Sequence, residues 1–226
     1  MASTAPKRYP STVGSTRVYT LGATNTLWTV QPFGPYNYQN KLFVVALFKS
    51  GANYSVTVFR SIDHGLTWVE SDTANRKATA AVTTTSAVKL ISPYRHGHLL
   101  YIAHNNVAKI EQFDMNLNTW GATVATGGPT VVDAGVGAYA RMFLIRREDG
   151  SFVLLYSDQQ LISGTNYGRV KYVILTGVTW SGVNSITAHA GADFIQDRPV
   201  GIVRGASNRV HMFFTSSETA DGAALF

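Results

Sequence analysis

The chain of 226 residues contains no cysteine, which excludes a disulfide framework, a thiolate metal site and a cysteine nucleophile. Charge is scarce as well. Only 14% of residues are charged, and the formal net charge of +6 comes from 19 basic against 13 acidic residues, a shortage of acids more than a massing of bases. The basic pairs Lys7-Arg8, Arg76-Lys77 and Arg146-Arg147 are too short to form a nucleic-acid patch. No apolar run has the length of a membrane helix, and no stretch holds helical periodicity for a useful distance. Residues 1–20 carry no apolar core of the kind a signal peptide needs, so none is read there. Phosphate-binding loops, a dinucleotide fingerprint after a strand and a nucleophile elbow are missing too. What remains is β-forming material: 45% hydrophobic residues, 12% aromatics and 20 glycines, enough for a sizeable core of strands joined by tight turns.

Self-comparison organises that material. Four apolar runs resemble one another: KLFVVALF (41–48), HLLYIAH (98–104), SFVLLY (151–156) and RVHMFFT (209–215). Their first apolar residues are Leu42, Leu99, Phe152 and Val210, and three of the runs follow another β-rich segment across a short turn containing Gly. Further strands are read at 55–61, 107–114 and 169–176, each followed by a short segment led by Trp68, Trp120 or Trp180. A period of about 55 residues is near the length of a four-stranded propeller blade. The sequence therefore predicts an all-β chain, a β-propeller of four-stranded antiparallel blades with about three and a half blades present. The approximate repeats are 27–72, 87–125, 139–183 and an incomplete 198–226, after an arm or closing segment at 1–26. A β-sandwich is the structural rival. Because the fourth unit stops at the start of its third strand, the expectation is that a longer native chain or a partner chain completes the ring.

The first repeat contains Ser61-Ile62-Asp63-His64-Gly65-Leu66-Thr67-Trp68. A turn of this length leaves backbone N–H groups without ladder partners, and a short carboxylate such as Asp63 can accept from several. Gly65 suits an unusual backbone conformation, Ser61 and Thr67 can tie the ends, and Trp68 can fold its ring into the gap between strands. This segment resembles the Asp box, S-x-D-x-G-x-T-W, of the sialidase-like (BNR-repeat) β-propeller family. The later copies keep less: Thr119 and Trp120, with Asp114 displaced by one position, and then Gly177, Thr179 and Trp180. The resemblance covers roughly residues 40–226 through the repeat, and its specific part is the eight-residue box. In that family the box is a folding device away from the catalytic face, so it implies an architecture and no activity.

A sialidase, by the same resemblance, needs three arginines for the substrate carboxylate, an acidic Asp, and a Tyr nucleophile paired with Glu. The family's first arginine sits in an F/Y-R-I/V-P motif, whereas the corresponding strand here reads LWTVQPF. Arg141 and Arg198 stand at the starts of segments read as outer strands, with Asp197 beside the latter, and these three are the catalytic candidates. The alternative for each is an ordinary solvated charge or a local Asx turn. The His96-x-His98 pair, with His104, has no evident third partner, so no metal and no cofactor is expected.

Tyr36, Tyr38, Tyr94 and Tyr167 are read as loop residues and are candidates for stacking on sugar rings. The Cys-free, Ser/Thr/Gly-rich composition and polar first residues resemble phage tail-fibre or other virion proteins. The function expected is a non-catalytic glycan-recognition or structural module of a virion, made in the host cytoplasm, with an extracellular place as the alternative. Its partners would be host-surface glycans or other virion proteins, with no nucleic acid and no membrane, and a homo-oligomer is possible. The competing function is a sialidase-like exo-glycosidase whose catalytic residues lie partly beyond Phe226.

Overall fold

The structure is a computed structural model that describes residues 25–27, 33–50, 53–79, 91–104, 107–129, 141–162, 165–186, 201–213, 215–219 and 222–225. Among them the only helix is one 3-10 turn, Thr73–Asn75. In the first sheet, β1 (Asn25–Leu27) and β2 (Phe33–Tyr38) pair with opposite ends of β3 (Lys41–Ser50). Next comes β4 (Asn53–Ser61), whose outer side carries β5 (Val69–Ser71) and β6 (Lys77–Thr79). These six strands thus fill four positions. The second sheet is a plain antiparallel meander of β7 (Ile91–His96), β8 (Leu99–His104), β9 (Lys109–Asp114) and β10 (Thr119–Trp120). The third runs β11 (Arg141–Arg146), β12 (Phe152–Ile162) and β13 (Thr165–Thr176), with β14 (Thr179–Trp180) and β15 (Asn184–Ile186) both on β13. Two hairpins follow: β16 (Gly201–Arg204) with β17 (Val210–Phe213), and β18 (Thr215–Thr219) with β19 (Gly222–Leu225).

All four repeated apolar runs occupy second-strand positions, and β8 shows why they are unbroken. Leu100 and Ile102 pack with Phe43, Val45, Val56 and Val58 of the first sheet, while Tyr101 and Ala103 pack with Leu154 and Tyr156 of the third. A strand covered on both faces has no solvent side to mark with polar residues. β12 repeats the arrangement, with Leu154 and Tyr156 against the second sheet and Leu155 grouped with Ile202 and Met212 of the fourth. The first strands converge, since β11 packs against both β7 and β16. Sheets stacked face to face around neighbouring first strands form a β-propeller, with each sheet a blade. A two-layer sandwich would cover only one face of each sheet.

Two expectations need correction. Tyr36, Tyr38, Tyr94 and Tyr167 lie in strands, not loops: β2, β7 and β13. β2 was hidden because its Gly34, Pro35 and Asn37 face solvent, while Phe33, Tyr36 and Tyr38 turn towards the core between the first two sheets. Pro35, which has no N–H to donate, sits where the β2–β3 register shifts. Arg141 opens β11, which is a packed first strand with Met142, Leu144 and Ile145 buried, not an outer one.

Candidate functional site

The meanders place the first-to-second and third-to-fourth turns of the first three blades, and the first-to-second turn of the fourth, at one end among the described residues. The longest of these turns runs from Ser61 to Trp68 and is closed by its own side chains. Asp63 Oδ1 accepts from Ser61 Oγ at 2.7 Å and from the Thr67 N–H at 2.8 Å, and Oδ2 accepts from Thr67 Oγ1 at 2.5 Å. Ser61 Oγ in turn accepts from the Gly65 N–H at 2.8 Å, and Trp68 Nε1 donates to Gly65 O at 3.0 Å. Gly65 has φ 93, a value that carries strain for any residue with a Cβ. The hydrogen bonds from the Thr67 side chain, then its N–H, then Ser61 hold the Asp63 carboxyl down at about 2.

The other turns use the same chemistry at other lengths. Asp114 Oδ1 accepts from the N–H groups of Asn116 and Leu117, so its one-position displacement reflects a shorter turn between β9 and β10. Gly177, with φ 61, opens a two-residue turn between Thr176 and Thr179. Trp120 is buried and meets Phe113 edge-on at 5.2 Å, while Trp180 Nε1 donates to Thr126 O at 3.1 Å. In the third blade Asp149 Oδ1 accepts from Ser151 N and Oγ, and the Ser151 hydroxyl is first among the causes lowering its pKa. The turn Glu148-Asp149-Gly150 looks like a plain hairpin tip in the sequence, and the Asp149-x-Ser151 spacing is the signal of its closure.

At this same end the first strands terminate. Their last residues are Tyr38 in β2, His96 in β7, Arg146 in β11 and Arg204 in β16. Arg146 Nη1 donates to His96 Nε2 at 3.3 Å. Partial burial lowers the His96 pKa, and the charges of Arg146, Arg204 and His98 lower it further. Asn208 links the third and fourth blades, accepting from Arg147 Nε through its backbone O and from the Asp149 N–H through Oδ1. The Tyr38 ring stands 6.2 Å from that of His98. Burial pushes the Tyr36 hydroxyl up to about 12.

His96 and His98 serve different neighbours, since His98 Nε2 lies 3.7 Å from Asp114 Oδ2. His104 is remote from both, fully buried between the first two blades and 3.6 Å from Glu111 Oε1. Among the described residues no group of three His, Cys, Asp or Glu side chains converges. Tyr94 packs against the core between the second and third blades, and Arg141 and Tyr167 are placed only as members of their strands. Asp197 and Arg198 lie outside the described residues.

No protein-family model and no curated protein matches the chain. Among solved structures it is similar to an endo-arabinase from Bacteroides thetaiotaomicron VPI-5482, with 12% identity, 92% of this chain and 78% of that one covered, and a TM-score of 0.45. It is similar to an exo-beta-1,3-galactanase from Phanerochaete chrysosporium at 15% identity, covering 78% of this chain and 39% of that one, with a TM-score of 0.44. An alpha-l-arabinofuranosidase from Fusarium graminearum matches at 13% identity, 78% and 53% coverage and a TM-score of 0.42. The chain spans less than two thirds of the last two. By their names, all three act on carbohydrate.

Proposed function

We propose that this chain is a non-catalytic, glycan-recognising β-propeller module displayed on a virion, in the manner of a phage tail fibre. One observation carries the recognition reading. Tyr38, His96, Arg146 and Arg204 end four successive first strands on one face, on blades whose turns are tied by Asp63, Asp114, Asp149 and Asn208. Aromatic rings cover sugar faces and fixed cations donate to sugar oxygens, and strand ends hold both more rigidly than loops do. In this reading the 61–68 turn is an Asp box of the sialidase-like repeat. It fixes the blade and takes no part in chemistry.

The test is a glycan array probed with purified protein, alongside a fluorogenic sialoside assay. Selective retention of a subset of glycans is expected, weakened by Tyr38→Ala, with no turnover of the sialoside. A flat profile from a sample with a cooperative melt would count against recognition, and turnover would count against the non-catalytic reading. Peptides of the chain found in purified virus particles would support the virion assignment.

A further inference from the structure

We propose that the mouth lined by His96, Arg146 and Arg204 is an oxyanion site that takes a carboxylate or sulfate group borne on a sugar. Arg146 and His96, from neighbouring blades, meet there, and Arg204 ends the next first strand, close enough for its charge to act on His96. β11 packs between β7 and β16, and the final residue of each strand is one of the three. Arg146 and His96 touch at 3.3 Å, and no acidic partner of Arg146, Arg204 or His96 lies within ion-pair distance among the described residues.

The nearest acids are held first by other partners, although the Asp149 charge also reaches Arg146. Asp149 accepts from Ser151 and lies 3.8 Å from Arg147, and Asp114 accepts from its own turn and faces His98. Arg95 donates to Gly97 O at the rim. Gly150 lies against the Arg146 guanidinium, where a Cβ would come within 3.1 Å of Nη2. Grouping like charges with only the Asp149 charge nearby costs the folded protein energy, and a bound oxyanion reduces that cost. Guanidinium forks suit the task because they meet planar or tetrahedral oxyanions with paired N–H bonds. Arg141 begins β11 and Arg146 ends it, so the site is at the opposite end of that strand from the catalytic candidate.

The sugar half of the proposal rests on the glycan reading above, and the anion half does not. Calorimetric titration of the full chain with inorganic sulfate, a sulfated tetrasaccharide and an uncharged tetrasaccharide separates them. Arg146→Gln/Arg204→Gln is expected to weaken sulfate and the sulfated sugar together by about tenfold, the loss of one charged hydrogen bond or more. Lys109→Gln, which removes a single positive charge at the other end of β9 from the turn, should leave both unchanged. The His96 pKa, followed by NMR, should rise on saturation with sulfate. Sulfate binding that is lost in the double variant without binding of any sugar leaves the anion site standing and ends the glycan reading. Sulfated sugar bound equally by wild type and double variant, or no binding of sulfate or sulfated sugar at all, overturns the site.

Discussion

Asp63 illustrates how much one short side chain does in a turn. Its carboxylate accepts from Thr67 Oγ1, Thr67 N and Ser61 Oγ, and those bonds lower its pKa from 3.8 to about 2. A folded-state value below the unfolded one means that the contribution is complete above the ordinary carboxylate range and is lost as pH falls through about 2. Asp63→Ala should therefore lower the melting temperature at pH 6, and the gap from wild type should narrow at pH 2. An equal gap at both pH values would show that the charge is not what closes the turn. Gly65→Ala acts through φ and has no such dependence. It should cost about 1–2 kcal/mol at either pH.

At the scale of elements, the interface between the first two blades holds a buried polar cluster. Thr123 Oγ1 donates to Glu111 Oε2 at 2.7 Å, Lys77 Nζ lies 3.6 Å from the same atom, and His104 Nε2 lies 3.6 Å from Oε1. Burial, the largest influence, pushes the Glu111 carboxyl up, but His104, Thr123 and Lys77 together outweigh it and leave the pKa lowered. The sign is again that of an acid whose contribution is complete above its unfolded value and fades below it. Glu111→Ala, which takes the carboxylate from His104 while Lys77 Nζ keeps its bond to Gly121 O, should cost about 1–3 kcal/mol in urea unfolding at pH 7. The loss should shrink below pH 4, and a loss independent of pH would contradict this account. The sequence does not show this cluster, because Lys77 reaches Glu111 only across two blades, although Thr123 joins Glu111 within one. The second strands were legible because two-sided burial writes itself as an unbroken apolar run, as in Phe43 to Ala46 or Phe152 to Tyr156. The turn tips were legible where Gly97, Gly150 and Gly177 carry positive φ. β2 was not, since a Gly-Pro pair and an irregular register look like a loop. The row of Tyr38, His96, Arg146 and Arg204 shares a register position and no residue type, so no comparison of repeats could have aligned it.

Across the whole molecule, the blades differ in what covers them. The second and third are covered on both faces, and in the first blade Val44, Ala46, Thr57 and Phe59 are buried on the face turned away from the second. The fourth is covered on one. Ile202 and Met212 face the third blade, whereas Val203 and Phe213 on the other face are 52% and 45% exposed. The paired register puts Val203 opposite His211 and Phe213 opposite Gly201, so these four residues line a single open surface. In a ring, that surface is where the next blade would stack, and apolar residues of this size left in water favour association. The 226-residue chain is therefore expected to self-associate through its fourth blade as concentration rises, measured by light scattering behind size exclusion. Phe213→Lys should keep it monomeric over the same range while leaving the cooperative melt intact, because the side chain points away from the packed face. A wild-type chain that stays monomeric, or a variant that associates equally well, would remove the fourth blade as the joining surface.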